Sequence, residues 1–400
     1  MRQAKENIIQ REQDAFRVNW PGAYAAIPKD IFYRDDVYQR ELNRIFGGPE
    51  WHPVGHRGEV PERGDFKSAR IGEARVLVVH GDDGEIRVFV NSCPHRGTEL
   101  VTCARGNAGE IECPYHRWLF DNRGNLMNAP GSDHFPESFR KEDFGLRSLR
   151  SAEFLGLIFA TFDAAAPTLD SYLGDVRPYL ETALHKDGRL NLLGYQKVVF
   201  ASNWKEYNDQ EGYHAPLLHR AFRLLGWQGG KGTRCVTEYG HMAVDAELQR
   251  MANIGFLHDA SLVEVSGSNV KPRSVVITLF PLTQVLKHLD VHTIRFAHPL
   301  SPHETEVHYT YFCHADDDEE MVRHRLRQSS NLLGPSGLIS LEDGAVFNRL
   351  HKGLMTPGTI AFHRGVNGRL TPPCVIGQND EAGNLVKWER YRDLMDFERD

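Results

Sequence analysis

From Trp51 to about Phe162 the chain alternates short apolar runs with turn residues. Ala74-Arg75-Val76-Leu77-Val78-Val79 is followed by Asp82-Asp83-Gly84 and then by Ile86-Arg87-Val88-Phe89-Val90. Asp-Gly between two β-rich runs is a hairpin signal, because the turn needs a residue that tolerates positive φ. Further on, Glu110-Ile111-Glu112 and Trp118-Leu119-Phe120 bracket a loop, and Asn122-Arg123-Gly124 reads as a turn. This pattern predicts an all-β domain over residues 49–165. Ahead of it, residues 1–48 read as polar helices broken at Pro28-Lys29-Asp30. Val37, Leu42, Ile45 and Phe46 form the apolar side of an amphipathic stretch that caps another domain.

The polar, Ala/Pro-containing stretch 163–170 marks a change of pattern, and a second domain is expected over 166–400. Residues 192–200 read as a strand, and Ser202 is placed to cap the helix that follows. The runs 274–279, 283–289, 291–297 and 306–312 predict consecutive antiparallel strands, with 299–304 as a turn. Between Arg220 and Pro272 lies a Gly-rich segment with helical fragments such as 246–252. A long irregular stretch of this kind usually covers a substrate. Residues 316–320 are acidic and read as a solvated helix start. The fold class is α+β, with a curved antiparallel sheet wrapped around helices. Phe222, Leu225, Met251, Phe256, Val275, Ile277 and Phe347 are candidate pocket-wall residues, with a core role the better reading for any one of them.

Composition changes this picture little. The 400 residues are 40% hydrophobic, enough for real cores, and carry a formal net charge of −7. No basic patch points to nucleic acid. No apolar run approaches the roughly 18 residues of a membrane span, and the charged N-terminus does not read as a signal peptide, so a soluble cytoplasmic protein is expected. Of the six cysteines, Cys103, Cys235, Cys313 and Cys374 are scattered without a framework spacing. They read as reduced, mostly buried thiols.

The other two cysteines carry chemistry. Cys93-Pro94-His95-Arg96-Gly97 and Cys113-Pro114-Tyr115-His116-Arg117-Trp118 each contribute one cysteine and one histidine. Two thiolates on one iron and two imidazoles on another is the donor set of a high-potential [2Fe-2S] centre, at about −150 to +300 mV. A structural Cys2His2 zinc site is the bland competitor, although zinc sites usually pair like ligand with like. Arg96 and backbone amides near the two loops are candidate hydrogen-bond donors to the sulfurs, which are expected at two hairpin tips.

Cys-x-His, seventeen residues, Cys-x2-His, with these Pro-His-Arg-Gly and Pro-Tyr-His-x-Trp flanks, resembles a Rieske domain. With the run 203–219, Asn-Trp-Lys-Glu-Tyr-Asn-Asp-Gln-Glu-Gly-Tyr-His-Ala-Pro-Leu-Leu-His, the chain resembles the alpha component of Rieske non-haem iron ring-hydroxylating oxygenases. The resemblance covers roughly residues 40 to 360. It implies a helix-grip catalytic domain, a Rieske cluster and a mononuclear Fe(II) that takes O2 as co-substrate. His214 and His219 are then the iron histidines. Five apart, they would lie about 140° from one another on a regular helix, but Pro216 between them disrupts such a helix and lets both rings converge. The third ligand is implied to be a carboxylate in a Ser-x-Glu-Asp-Gly-like motif, here Asp343 rather than its neighbour Glu342. The alternative is that Ser340 and Asp343 merely form a capping box.

The family places a carboxylate three residues before the first iron histidine, usually Asp, that links this histidine to a Rieske histidine of the neighbouring subunit. Here it is Glu211, as in some relatives that oxidise quaternary ammonium compounds. Asp209 is an alternative bridge, and Tyr213 and Asn208 complete the candidate catalytic set. No Gly-x-Gly-x-x-Gly unit or second cysteine set is present, so NAD(P)H acts only indirectly, through a separate reductase and/or ferredoxin. Head-to-tail contacts between cluster and iron close into a ring, and the resemblance implies a homotrimer, or an α3β3 assembly with a small beta subunit. The stretches 331–335 and 340–344 look like those of enzymes that hydroxylate aromatic acids. The expected reaction is therefore hydroxylation of a small, aromatic, carboxylate-bearing substrate. Oxidative demethylation or oxidation of a quaternary ammonium compound is the alternative, and a plain Rieske electron carrier is the alternative of another class.

Overall fold

The hairpin signal at Asp82-Asp83-Gly84 joins strands Ala74–His80 and Ile86–Val90, with Gly84 at φ 88°. This computed structural model describes residues 16–207, 220, 224, 231–248, 253–266 and 272–400. The pair belongs to a four-stranded sheet with Asp65–Ile71 and Arg105–Asn107. The run 76–79 is continuously apolar because both faces of the sheet are covered. Leu77, Val79 and Phe89 pack with Cys93, Cys113 and Trp118 on one side. Val76, Val78 and Val88 pack on the other side with residues of the N-terminal segment and of the helices Trp204–Tyr207 and Ser340–Leu354. Two three-stranded sheets complete this β-rich part, Glu110–Glu112/Leu119–Asp121/Leu126–Asn128 and Arg150–Phe154/Leu157–Thr161/His52–His56.

The second part is built on an eight-stranded antiparallel sheet. Its order is Leu190–Phe200, Glu304–His314, Val291–Ser301, Thr283–His288, Arg273–Leu279, Met242–Glu247, Gly232–Val236 and Cys374–Gly377. The four predicted strands are all there, and two of them run through the expected 299–304 turn as far as the Ser301–Glu304 pair. Ala246 and Glu247, expected in a helical fragment, instead continue a strand paired with Arg273–Leu279. Part of the Gly-rich segment is therefore sheet. Side chains alternate across this sheet: Ile294, Phe296 and Phe312 pack toward helix Arg177–Ala183. Ala297, Val307, Tyr309 and Tyr311 face the opposite side, which the Ser340–Leu354 helix covers through Phe347, 5.3 Å from the ring of Phe200.

The described part of the N-terminal segment, residues 16–48, is less helical than expected. It holds a strand Ala26–Pro28 paired with Thr359–Ala361, a 3-10 turn at Lys29–Phe32 and a short helix Asp35–Glu41 that widens into a π turn over Leu42–Phe46. Val37, Ile45 and Phe46 are buried as their pattern required. Glu41 is fully buried and receives Lys205 Nζ at 2.6 Å, Trp204 Nε1 at 2.8 Å and the Tyr391 hydroxyl. One carboxylate thus ties the N-terminal segment to the helix Trp204–Tyr207 and to the C-terminal helix Ala382–Met395. Taking out one partner of such a buried, fully satisfied pair costs far more than a surface ion pair is worth.

Among the pocket-wall candidates, Val275 and Ile277 lie in the core behind the sheet, and Phe256 is exposed. Phe222, Leu225 and Met251 fall outside the described residues. Of the four scattered cysteines, Cys235 and Cys313 are buried, Cys374 is half-buried and Cys103 is exposed. Among the described residues no helix is long and apolar enough to cross a membrane.

Candidate active site

The two cysteine-histidine loops are the same turn used twice. In the first, Cys93 N–H donates to Thr98 O and Gly97 N–H to Cys93 O, each at 2.8 Å. In the second, Cys113 N–H donates to Trp118 O at 2.8 Å and Arg117 N–H to Cys113 O at 3.1 Å. Both loops need positive φ at the fifth position, supplied by Gly97 at 75° and by Arg117 at 60°. Glycine adopts this region freely, whereas Arg117 does so at a cost. Only the second loop is a hairpin tip, between Glu110–Glu112 and Leu119–Asp121. The first follows strand Ile86–Val90, whose neighbours do not include the strand after the loop, so the expectation of two hairpin tips is corrected. What closes the first loop is its own pair of backbone bonds.

The repeat brings the four side chains together. Cys93 and Cys113 are buried, 2% and 1% exposed, and their sulfurs are within hydrogen-bonding reach of each other. His95 and His116 lie toward the surface with ring centroids 4.7 Å apart. Trp118, buried among Phe135, Phe139 and Phe144, stacks on His95 at 4.7 Å and 4°, so the tryptophan of the second loop orients the histidine of the first.

These residues fit a [2Fe-2S] group. His116 Nδ1 is buried and has no hydrogen-bond partner among the described residues, which is costly unless something ligates it. Desolvation, with the charges of His116 and Arg96, pushes the His95 pKa down and favours the neutral, ligating ring. Burial pushes the Cys93 thiol up, while the main-chain N–H groups of His95 and Arg96 stabilise its anion. The expected Arg96 contribution therefore comes through its backbone. Its guanidinium turns away to the Tyr115 hydroxyl at 3.4 Å. Among the described residues no three His, Cys, Asp or Glu side chains converge on one ion position. The loops offer two sulfurs and two rings, set pair against pair.

The second candidate centre is assembled from distant parts of the chain. Asn208, Asp209, Glu211, Tyr213, His214 and His219 all lie outside the described residues, but the helix leading to them, Trp204–Tyr207, is wholly buried. Ser202 does not cap it; its hydroxyl has no partner among the described residues, and Asn203 Oδ1 accepts from Lys205 N–H at 3.0 Å instead. An amide oxygen one residue nearer the helix has the shorter reach.

Asp343 is buried on the Ser340–Leu354 helix, while Glu342 beside it is half-buried. Asp343 sits within electrostatic reach of Tyr207, Arg295 and Tyr309, that is, on the face toward the helix that enters 208–219. Ser340 does not form a capping box with it, since no side chain caps this helix. Its hydroxyl donates to Leu333 O at 3.0 Å and accepts from Arg295 Nη2 at 3.2 Å. Arg295 stacks over the Tyr309 ring at 4.6 Å. Burial opposes its charge, yet Tyr309, Tyr207 and Asp343 hold its pKa above the usual value. Reading of the sequence missed Arg295, although a charged residue between Ile294 and Phe296 in an apolar strand was the available signal.

Residues 50–146 match the Rieske [2Fe-2S] domain family, and residues 174–388 match the ring hydroxylating alpha subunit (catalytic domain) family. The chain belongs to the ring-hydroxylating oxygenase alpha subunits. It is 32% identical over 375 residues to the anthranilate 1,2-dioxygenase large subunit of Burkholderia cepacia, covering 86% of this chain and 88% of that protein. It is 30% identical over 374 residues to the large oxygenase component of salicylate 5-hydroxylase of Ralstonia sp., covering 84% and 86%. The crystal structure of naphthalene 1,2-dioxygenase from Rhodococcus sp. bound to indole superposes with a TM-score of 0.82 at 26% identity, over 92% of this chain and 94% of that one. As an alpha subunit of this family, the protein is an O2-dependent oxidoreductase that uses a Rieske cluster and mononuclear iron. It acts as a terminal oxygenase supplied with electrons by partner proteins.

Proposed function

We propose that this alpha subunit hydroxylates a small aromatic carboxylic acid. The observation that carries the substrate reading is Arg295, a buried cation on the sheet face beneath Asp343. Its Nε has no partner among the described residues, and Tyr207, Gln284 and Tyr309 lie around it. A site for bare hydrocarbons gains nothing from burying these groups, whereas a carboxylate-bearing ring is drawn toward positive charge.

In this reading Cys93, His95, Cys113 and His116 hold the [2Fe-2S] cluster of a domain spanning 49–165, and His214, His219 and Asp343 hold the mononuclear iron of a domain spanning 166–400, with 1–48 packed against it. When bound, the cluster supplies single electrons and the mononuclear iron supplies the position at which O2 is reduced. The chain's own residues do the rest. Amide donors from His95 and Arg96 to the Cys93 sulfur ease the arrival of an electron by stabilising negative charge there. Trp118 fixes the plane of His95. Arg295, Tyr207 and Tyr309 hold Asp343 among fixed dipoles and charge. Phe200 and Phe347 keep the floor of the site dry. Glu211, with Asp209 as the alternative, provides the acceptor that links the iron site to the cluster of a neighbouring subunit, and Asn208 and Tyr213 complete the surroundings. That link calls for a ring of three subunits, with or without beta subunits, in the cytoplasm, and for a separate reductase or ferredoxin.

Oxygen uptake by the reduced protein with its reductase, across benzoate-type, amine-type and quaternary ammonium substrates, tests the reading. Uptake matched by hydroxylated product with benzoate-type acids is expected. Coupled turnover only with ammonium compounds, or release of formaldehyde from methylated substrates, contradicts it.

A further inference from the structure

The buried helix Trp204–Tyr207 carries two neighbouring charged residues in opposite circumstances. Lys205 is locked against Glu41, whose oxygens are both satisfied. Glu206, 1% exposed, has a titratable partner instead: its Oε1 lies 2.7 Å from His351 Nδ1. Its Oε2 is buried with no partner among the described residues. His351 is itself buried, in the last turns of the Ser340–Leu354 helix, and uses its second ring nitrogen as well. Nε2 lies 3.0 Å from Nδ1 of His303, an exposed residue in the turn between strands Val291–Ser301 and Glu304–His314.

This turn is pinned to the start of the helix Trp204–Tyr207. Asn203 Nδ2 donates to Pro302 O at 2.8 Å, and Thr305 Oγ1 donates to Ser202 O at 2.9 Å. The three side chains therefore stay in line from solvent to the interior. The charged neighbours of Glu206 are His351 and Lys205. Burial raises the Glu206 pKa, against the lowering effect of His351 and Lys205, so this carboxylate accepts a proton more readily than a surface one.

Oxygen insertion needs such a supply. Hydroxylation follows RH + O2 + 2e− + 2H+ → ROH + H2O, and addition of both oxygens likewise takes up two protons. We propose that His303, His351 and Glu206 form a relay that carries protons from solvent to the buried helix leading into 208–219. A proton from water binds His303 Nε2 as the Nδ1 proton of His303 passes to His351 Nε2. The Nδ1 proton of His351 then passes to Glu206 Oε1. One proton has left solvent, one has reached the carboxylate, both rings are neutral again and no electron has moved. Rotation of the protonated carboxyl turns this proton to the Oε2 side, where a water molecule takes it up and leaves Glu206 ionised again. The relay rests on the oxygenase reading above.

The test uses the holoenzyme with its reductase and benzoate-type acids, and the variants His303→Gln and His351→Gln. His303 is exposed, so its variant leaves the fold intact, and glutamine keeps a hydrogen bond without relaying a proton. Iron, sulfide and the rate of cluster reduction should match wild type. Product formation after reduction should fall about 100-fold, the lower end of the range for positioned proton transfer, with a larger solvent deuterium isotope effect and recovery on adding imidazole to the His303 variant. Wild-type rates and isotope effects in both variants overturn the relay. So does a slowed His303 variant with an unchanged isotope effect and no recovery by imidazole, which marks a structural role. If the wild-type protein itself holds no mononuclear iron, the oxygenase reading fails instead.

Discussion

In the assignment proposed above, the cluster loops and the mononuclear iron site solve the same problem, aiming ligands at iron, by opposite means. The cluster loops are local. Each is six residues long, and each is closed by the same two backbone bonds and the same positive-φ position, so that Cys-x-His and Cys-x2-His converge although their spacing differs. The proposed iron site is distributed. Asp343 stands more than a hundred residues from His214 and His219, and its aim depends on Ser340, Leu333 and Arg295 at one end. At the other end it depends on a helix anchored by Glu41. Local turns survive damage elsewhere in the molecule, whereas a distributed site inherits the stability of everything that positions it.

The largest effects should come from breaking one site at a time. Cys113→Ala should abolish the visible absorption and the acid-labile sulfide and stop turnover, while mononuclear iron remains. Loss of that iron together with the cluster would mean that the two sites are not independent. Glu41→Gln should come next. It leaves Lys205 buried without its anion, a defect that typically costs about 3–5 kcal/mol. Calorimetry should record a large drop in Tm, and mononuclear iron should fall before sulfide does. Equal loss of both would remove the distinction between local and distributed sites.

Acid stability offers a third test. His52 and His56, on the strand beside the cluster sheet, have pKa values pushed down to about 4 by burial, and His241 is pushed down to about 3. A histidine that binds its proton more readily when unfolded favours unfolding as pH falls. Stability should therefore be full above pH 7 and decline from about 6.5 toward 4, each group contributing roughly 2 kcal/mol of loss by pH 5. Denaturant midpoints that stay level over this range would contradict that burial. Slower electron delivery without loss of either metal is expected of Glu211→Gln, read as the rate of cluster oxidation in a single turnover. The smallest effect belongs to Glu342→Ala, which should keep iron and most activity, because a neighbour on a helix points about 100° away.

How much could be read from the sequence follows the same division. The β hairpin, the four consecutive strands and the proposed cluster ligands are written in short-range pattern: Asp-Gly turns, β-branched runs and paired Cys-His spacing. What escaped was set by long-range packing. Ala246 and Glu247 looked helical by composition but are held as strand by Arg273–Leu279. Ser202 looked like a cap, but Asn203 is one. The first cluster loop looked like a hairpin tip, but its closure lies in its own backbone rather than in flanking strands. Arg295 and the Glu206–His351–His303 line join residues tens to more than a hundred positions apart, and no local pattern announces such a meeting.

Iron and acid-labile sulfide analysis of natively metallated wild type and Asp343→Ala, beside their absorption spectra, tests the division most directly. The expected content is about three irons and two sulfides per chain in wild type, and about two and two in the variant, with the Rieske spectrum unchanged and still reducible by its reductase. Zinc without sulfide in wild type, or sulfide lost along with iron in the variant, would contradict the account.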